Sequence, residues 1–182
     1  MAEPHHVARF EELALPHLDA AYNLARWLTR NDHDAHDVVQ EAYLRAFKFF
    51  AGFHGDNARS WLLAIVRNTC YTWLQQHRGL HVNASLDELL DAGQADAVFA
   101  GEPPEDGPER LMLQAENKAM LNRALEQLPE EFREAIVLKE LEDLSYREIA
   151  AVTGVPLGTV MSRLSRARKL LSKHLQEFVQ ES

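Results

Sequence analysis

Apolar residues recur at spacings of three and four along most of the chain, the pattern of helices that bury one face. In the first block these stripes cover residues 10–28, 38–50 and 62–73. Gly52 and Gly55 break the chain between the second and third stripes. No alternation of period two and no Asn-Gly turn favours strands. The first block therefore predicts three helices.

The stretch Gly79–Arg110 breaks this pattern. It holds four glycines and three prolines, and eight acidic residues against one basic residue. Such a composition buries little apolar surface, and Leu86, Leu89 and Leu90 indicate only one short helical turn. Helical periodicity resumes after it. The predicted fold is all-α, with two small helical domains joined by a flexible acidic linker: residues 1–78, 79–110 and 111–182.

The most specific local pattern is LSYREIAAVTGVPLGTVMSRLSRARKLL, residues 144–171. Ser145 followed by Glu148 is a capping box, so a short helix begins there. Gly154 can take the left-handed conformation that ends this helix. A longer basic helix follows, with Val160 and Leu164 on its inner stripe. This order predicts a helix-turn-helix in the second domain.

The charge distribution favours DNA binding at this helix, although the formal net charge of the chain is -9. Net acidity by itself argues against a phosphate-binding protein. Residues 157–174, however, carry five basic residues and no acidic one. In the major groove, Thr and Ser hydrogen-bond to base edges and Arg binds guanine with two bonds. The residues predicted to contact DNA are Thr159, Ser162, Arg163, Arg166 and Lys169.

Other classes of site find little support. The sequence lacks a phosphate-binding loop, a zinc-protease helix and a nucleophile turn, so we expect neither enzymatic activity nor a cofactor. His33 and His36 lack the further ligands that a metal site needs. The single Cys70 lies among apolar residues, which predicts a core position and a reducing compartment. Without a signal peptide or a long apolar run, we expect a cytoplasmic protein with no membrane contact of its own.

Three stretches resemble the extracytoplasmic-function (ECF) family of RNA polymerase sigma factors. LPEEFREAIVLKELEDLSYREIAAVTGVPLGTVMSRLSRARKLL, from Leu128, is similar to the family's C-terminal domain. DAHDVVQEAYLRAF, residues 34–47, resembles its polymerase-docking helix, and SWLLAIVRN, residues 60–68, its promoter-melting helix. The resemblance covers nearly the whole chain outside the linker. It implies a sigma factor that binds core RNA polymerase and promoter DNA, directs transcription initiation and is controlled by an anti-sigma factor.

The resemblance also implies roles for individual residues. The outer face of the second helix would dock on the clamp of the polymerase's largest subunit, through Asp37, Gln40, Glu41 and Arg45. The charges alone fit either a basic partner or a solvated helix face. The family's third and fourth helices, with the loop between them, would capture the minus-ten element with aromatic and cationic side chains, and the candidate loop is Gly52 to Arg59. The residues implied are Asn57, Arg59, Trp61, Arg67, Asn68, Gln75 and Arg78. The basic helix of the second domain would bind the minus-thirty-five element.

The chain departs from the family pattern at three places. Thr72 and Gln75 stand where an Asp and then an Arg are common, and Met161 stands where a Lys is common. These departures leave the details of minus-ten recognition open, and one backbone contact could be missing at Met161. Trp61 fits either the core or the DNA surface. The linker fits either a solubilising tether or a strip that occupies a basic polymerase channel.

Two other functions stay open. A self-sufficient helix-turn-helix regulator would bind duplex DNA without polymerase, but it leaves the helix at residues 60–68 unexplained. A protein-interaction module that sequesters a polymerase or another regulator would not need the basic helix.

Overall fold

The computed structural model describes the backbone of residues 3–91 and 108–181 and the side chains of residues 3–77 and 115–181. All regular structure within these ranges is helical, as predicted. None of the described helices combines the length and the apolar character that crossing a membrane requires. The helices are α1 (Pro4–Ala14), α2 (Leu18–Thr29), α3 (Asp32–Phe49), α4 (Ala58–Asp91), α5 (Pro108–Glu126), α6 (Glu130–Ile136), α7 (Tyr146–Thr153) and α8 (Leu157–Glu181).

The first predicted helix is two helices, α1 and α2, because Pro16 interrupts it. A proline ring has no N–H to donate and collides with the carbonyl four residues earlier. The chain passes through a 3-10 turn at Leu15–His17 instead. The carbonyl of Ala14, at the break, accepts a hydrogen bond of 2.8 Å from the hydroxyl of Tyr43 in α3. The prediction of one helix over residues 10–28 was therefore wrong.

Polar loops begin the next two helices. Arg30 takes the left-handed conformation after α2, and the side chain of Asn31 accepts from the N–H of Asp34 at 3.0 Å to cap α3. Asn57 caps α4 in the same way, accepting from the N–H of Ser60 at 3.0 Å. These caps fix where each helix starts, and α2, α3 and α4 pack against one another in pairs.

Both predicted ends of the linker fall inside helices. The backbone of α4 continues to Asp91, so a helix replaces the single turn expected near Leu86. Only Gly79 disfavours a helix strongly in this added part, where leucines and an alanine favour it. At the other end, Pro108 is the first residue of α5, a position where its missing N–H costs little. Residues 92–107 of the predicted linker lie outside the described residues.

Most of the buried apolar residues form one core that both predicted domains share, and a second, smaller cluster lies within the first domain, formed by Phe10, Ala14, Ala46, Phe50 and Leu62. We call residues 3–91 the first module and residues 108–181 the second module. Helix α4 packs against α7, and α2 packs against α6. The largest buried side chains of this core are Leu24, Leu28, Val38 and Leu63 from the first module and Leu125, Leu128, Leu138, Leu144, Ile149 and Leu164 from the second. The modules are therefore closed against each other.

Cys70 lies in this shared core, as predicted, with no exposed surface. Burial raises the pKa of its thiol to about 12. Trp73 packs against the core from a partly exposed position and stacks on the ring of His77, with 4.3 Å between centroids. Trp61 is half-buried, with its ring 4.6 Å from that of Phe53. Of the two interpretations of Trp61, the structure favours a packing role.

Candidate nucleic-acid interface

The helix-turn-helix consists of α7, a tight turn and α8. Ser145 and Glu148 form the predicted capping box: each side chain accepts from the other's backbone N–H, at 3.1 and 3.0 Å. Gly154 ends α7 with a φ of 71°, and its N–H donates to the carbonyl of Ala150 at 2.9 Å. The predicted start, turn and second helix are all confirmed. The first residues of α8, Leu157 and Gly158, are exposed.

The outer face of α8 carries most of the residues predicted to contact DNA. Its inner stripe, Val160, Leu164 and Ala167, is buried. Ser162, Arg166 and Lys169 are exposed on the other side, while Thr159 is half-buried. Met161, where the family often has a Lys, is 48% exposed on the same helix. We call Ser162, Arg166 and Lys169 the exposed basic face of α8.

Two further arginines of α8 reach carboxylates of the second module. The side chain of Arg163 is 21% exposed and lies 3.7 Å from the carboxylate of Glu131 in α6. Arg168 donates to Glu140 at 2.9 Å, a bond that raises the pKa of its guanidinium. Arg163 is therefore partly withdrawn from the surface, whereas Arg166 is not.

Arg133 is buried and organises the start of the second module. Pro129 is the N-cap of α6, directly before its first residue Glu130. The Arg133 guanidinium then donates to four main-chain carbonyls, those of Trp27, Leu125, Glu126 and Leu128, at 2.8–3.2 Å. Burial lowers its pKa to about 10. Two of these carbonyls lie at the end of α5, that of Leu128 lies in the loop after it, and that of Trp27 lies in the last turn of α2. Arg133 therefore binds the two modules together.

Arg67, a candidate minus-ten residue, is bonded to a buried glutamate of the second module. Nε of Arg67 donates to Glu134 of α6 at 2.5 Å, and the hydroxyl of Tyr71 donates to the other oxygen of the same carboxylate at 3.0 Å. The Glu134 side chain has no exposed surface. Burial raises the pKa of Glu134, and the bond from Arg67 opposes this rise. Arg67 is thus engaged inside the protein.

The start of α4 makes a second contact with the other module. Nδ2 of Asn57 donates to Oε2 of Glu148 at 3.0 Å, and Ser60 Oγ donates to the same oxygen at 3.3 Å. The bond from Asn57 lowers the pKa of Glu148. Arg59 donates to the main-chain carbonyl of Glu142, and its guanidinium is 3.5 Å from the Glu142 carboxylate. Asn57 and Arg59 therefore contact protein groups in this closed arrangement.

The remaining minus-ten candidates lie on an adjoining face of α4. Asn68 and Gln75 are exposed, and Thr72 between them is half-buried, with its hydroxyl donating to the carbonyl of Asn68 at 3.0 Å. Spacings of four and three put these residues on one side of the helix. The side chain of Arg78 lies outside the described residues. The structure thus divides the predicted set. Arg59 and Arg67 are partly buried and bonded to the second module, Asn57 is bonded to it but exposed, and Asn68 and Gln75 are exposed.

The outer face of α3 holds the four predicted docking residues. Asp37, Gln40 and Glu41 are exposed, and Arg45 donates to Glu41 at 2.6 Å. The sequence interpretation missed Leu44, which is 71% exposed beside Glu41 and Arg45. Its signal is its phase, because Leu44 falls outside the buried stripe of the helix. Leu44 therefore lies on the same exposed side of α3 as the predicted docking residues.

No group of three or more His, Cys, Asp or Glu residues suited to a metal ion occurs in the part of the chain that the structure describes. His33 lies 3.6 Å from Asp37, and the ring of His36 is 4.6 Å from that of Tyr22. The two histidines therefore face different neighbours.

Family models match both modules. Residues 13–79 match Sigma-70 region 2, and residues 118–171 match Sigma-70, region 4. The chain is 34% identical to the RNA polymerase sigma-H factor of Pseudomonas aeruginosa, over 95% of this chain and 89% of that protein. It is 38% identical to the ECF RNA polymerase sigma-E factor of Escherichia coli, over 80% and 76%. Identity to the ECF RNA polymerase sigma factor SigE of Mycolicibacterium smegmatis is 35%, and the match spans 95% of this chain and 64% of that protein.

Solved structures share the fold across both modules. The sigma factor RpoE from Bartonella quintana, in complex with the anti-sigma factor NepR, aligns with a TM-score of 0.67 and 31% identity, covering 92% of this chain and 97% of that one. CnrH, in complex with the cytosolic domain of CnrY, aligns with a TM-score of 0.61 and 24% identity, covering 92% and 88%. The second likeness concerns the fold alone.

Proposed function

This chain belongs to the extracytoplasmic-function family of RNA polymerase sigma factors, and we propose that it divides the family's task among three surfaces. It is a sigma factor, which directs promoter-specific initiation by core RNA polymerase. The single observation that carries the proposed assignment is the exposed basic face of α8 on a fully formed helix-turn-helix. The family is one of sigma factors, not of enzymes, and we propose that this chain catalyses no reaction itself.

The exposed basic face of α8 is the proposed minus-thirty-five surface. The N-terminus of such a helix enters the major groove, where Arg166 would meet guanine and Ser162 a neighbouring base edge. Lys169, further along, suits a phosphate, which fixes the position of the helix without specifying sequence. Thr159 and Arg163 are only partly exposed, so their contacts require small side-chain movements.

The outer face of α3 is the proposed polymerase-docking surface. Asp37, Gln40 and Glu41 supply polar and acidic groups, and Leu44 supplies an apolar centre. An apolar centre inside a polar rim is the usual composition of an energetically important contact. Arg45 is bonded to Glu41, so we assign it the role of orienting that carboxylate.

The proposed minus-ten surface is the side of α4 that carries residues bonded to the second module beside residues exposed to solvent. Asn68 and Gln75 are exposed in the closed form, whereas the side-chain donors of Asn57, Arg59 and Arg67 are bonded to the second module and are released when the modules separate. We expect Trp61 to support this surface by packing on Phe53 rather than by stacking on a base.

We also propose control by an anti-sigma factor and action in the cytoplasm. RpoE, which shares the fold and 31% of aligned residues, is known in complex with an anti-sigma factor. Core polymerase and promoter DNA are the other proposed partners. A stand-alone helix-turn-helix regulator is the second candidate function, and only the independent exposure of α8 favours it.

Run-off transcription on a library of promoter fragments tests the assignment. Core RNA polymerase from a related bacterium is assayed with and without the protein. Transcripts that depend on the protein are expected, and the enriched fragments give its minus-ten and minus-thirty-five sequences. Duplex binding by the protein alone, with no transcript, would instead support the stand-alone regulator.

A further inference from the structure

The second module presents acidic groups to α4 at the places where α4 is cationic or a hydrogen-bond donor. Three glutamates on different elements contribute to this surface, which we call the acidic lid. Glu134 lies in α6, Glu142 follows the π-helical turn Val137–Leu141, and Glu148 lies in α7. The pairs across the interface are Glu134 with Arg67 and Tyr71, Glu142 with Arg59, and Glu148 with Asn57 and Ser60.

The central pair of the acidic lid is well shielded from water. The Glu134 side chain is 0% exposed and that of Arg67 is 18% exposed, with 2.5 Å between Nε and Oε1. A carboxylate this deeply buried is stable only while its hydrogen-bond partners stay in place. Salt also screens such a pair much less than a surface pair. The contact is therefore a built interface and not an incidental surface ion pair.

The acidic lid uses the same donors that a DNA strand would need. Phosphate and carboxylate oxygens accept the same charge-assisted bonds from a guanidinium. Arg67 cannot reach a phosphate while its Nε is bonded to Glu134. Arg59 and Asn57 also donate to the second module, although Asn57 is exposed and the Arg59 side chain is one-third exposed. Helix α7, packed directly on α4, also blocks the approach of a strand from this side.

We propose that the second module inhibits the first: in the free protein, the acidic lid occupies the minus-ten surface in place of the DNA strand. This inference rests on the proposed function, because that function assigns Asn57, Arg59 and Arg67 to minus-ten recognition. The exposed basic face of α8 stays accessible in the closed form, so the inhibition is selective. The free protein contacts minus-thirty-five duplex but not the melted minus-ten strand, until core polymerase holds the modules apart.

Strand binding by the full chain, without polymerase, tests the inhibition. Glu134→Gln keeps the shape of the side chain but removes its charge, and Glu140→Gln is the matched control because Glu140 pairs with Arg168 within the second module. The probe is a fluorescent single-stranded oligonucleotide carrying the minus-ten sequence enriched by run-off transcription. We expect Glu134→Gln to bind it about tenfold more tightly, as when a competent state rises from a tenth of the population to nearly all of it. Glu140→Gln should bind like the unmodified protein.

The separation of the modules is measured by electron-spin distance between labels at Ala51→Cys and Ser172→Cys. Both positions are exposed, one in each module, and the buried Cys70 does not compete for label. Asn57→Asp serves as a second variant, since an aspartate still caps α4 but repels Glu148. We expect one short distance in the unmodified protein and a longer, broader distribution in Glu134→Gln and Asn57→Asp.

The outcomes separate the inhibition from the sigma-factor assignment. Suppose that the unmodified protein supports transcription, that both variants show the same label-to-label distance as the unmodified protein, and that Glu134→Gln binds the strand no more tightly. The proposed inhibition is then wrong, and the sigma-factor assignment stands. A broad distance distribution in the unmodified protein would likewise overturn the inhibition. If Glu134→Gln loses helical content, the distance in Asn57→Asp decides. Failure of transcription by the unmodified protein counts against the assignment instead.

Discussion

The two helices that we propose to bind DNA, α4 and α8, carry the same kinds of side chain in opposite situations. Arg166 of α8 is exposed, on a helix whose inner stripe is packed within its own module. Arg67 of α4 is 18% exposed and bonded to a glutamate of the other module. Sequence assigns both arginines to DNA. In the closed structure, Arg166 is exposed and Arg67 is largely buried.

The difference teaches that the exposure of each arginine depends on which other helices pack against its own helix. Helix α8 is anchored by local features, namely the capping box at Ser145 and the left-handed Gly154, which leave its outer face at the surface. Helix α4 is bonded to residues of the other module that lie 63 or more positions away in the chain. A helix face can therefore have the composition of a binding surface and still be closed by the protein's own acidic groups.

The largest expected effect comes from removing Arg133, which bonds to main-chain carbonyls of both modules. Arg133→Ala leaves four carbonyls without their shared donor, so we expect the free energy of unfolding to fall by roughly 3–5 kcal/mol. Urea denaturation followed by circular dichroism measures it. Arg123→Ala, on the exposed side of α5, should change stability by less than about 0.5 kcal/mol. Equal stability of the two variants would contradict the bridging role.

The exposed helix is tested by its arginines. Arg166→Ala should weaken binding to minus-thirty-five duplex by about 1–3 kcal/mol, because a bidentate contact to guanine is lost. Arg163→Ala should cost less, since this side chain is partly withdrawn toward Glu131. Anisotropy titration with the selected duplex measures both. A larger loss for Arg163→Ala would show that Arg163 leaves Glu131 to make the main base contact.

The docking face of α3 should respond to loss of its apolar centre. Leu44→Ala is expected to weaken core polymerase binding by roughly 1–2 kcal/mol, about tenfold, without affecting the fold, since the side chain is 71% exposed. Leu15→Ala is the matched control, because Leu15 is 52% exposed and lies outside this face. Fluorescence binding to core polymerase measures the two variants. Equal affinities would remove Leu44 from the docking surface.

The smallest effect concerns the turn that keeps α8 accessible. Gly154→Ala should lower stability by about 1 kcal/mol, because φ is 71° there and the added Cβ meets no atom, which leaves a purely conformational cost. Gly158→Ala adds a Cβ in open space without a positive φ and should be neutral or slightly stabilising. Thermal unfolding compares them. Similar melting temperatures for both variants would mean that the turn relaxes.

Local features of the fold were predictable from the sequence, and contacts between distant segments were not. The helix-turn-helix, its capping box and the core position of Cys70 follow from short-range rules and are confirmed. The break at Pro16 was missed because the apolar spacing continues across it. The continuation of α4 from Gly79 to Asp91 was missed because the glycines and acidic residues of the stretch predict a linker, whereas Leu86, Leu89 and Leu90 favour a helix.

The candidate site follows the same division. The outward direction of Gln40 and Arg166 could be predicted from helical phase alone. The pairing of Arg67 with Glu134 could not, because it depends on how two modules pack. The assignments of these residues to DNA and polymerase remain predictions that the experiments above test.

The shared core has a thermodynamic consequence for the free chain. Since side chains of both modules fill one core, we expect the closed protein to unfold in a single cooperative transition. Each module on its own would bury a smaller fraction of its surface and so have a smaller margin of stability. The open form needed at a promoter is then also the form most easily attacked by proteases. A chain released from polymerase would survive only as long as it recloses faster than it is cleaved.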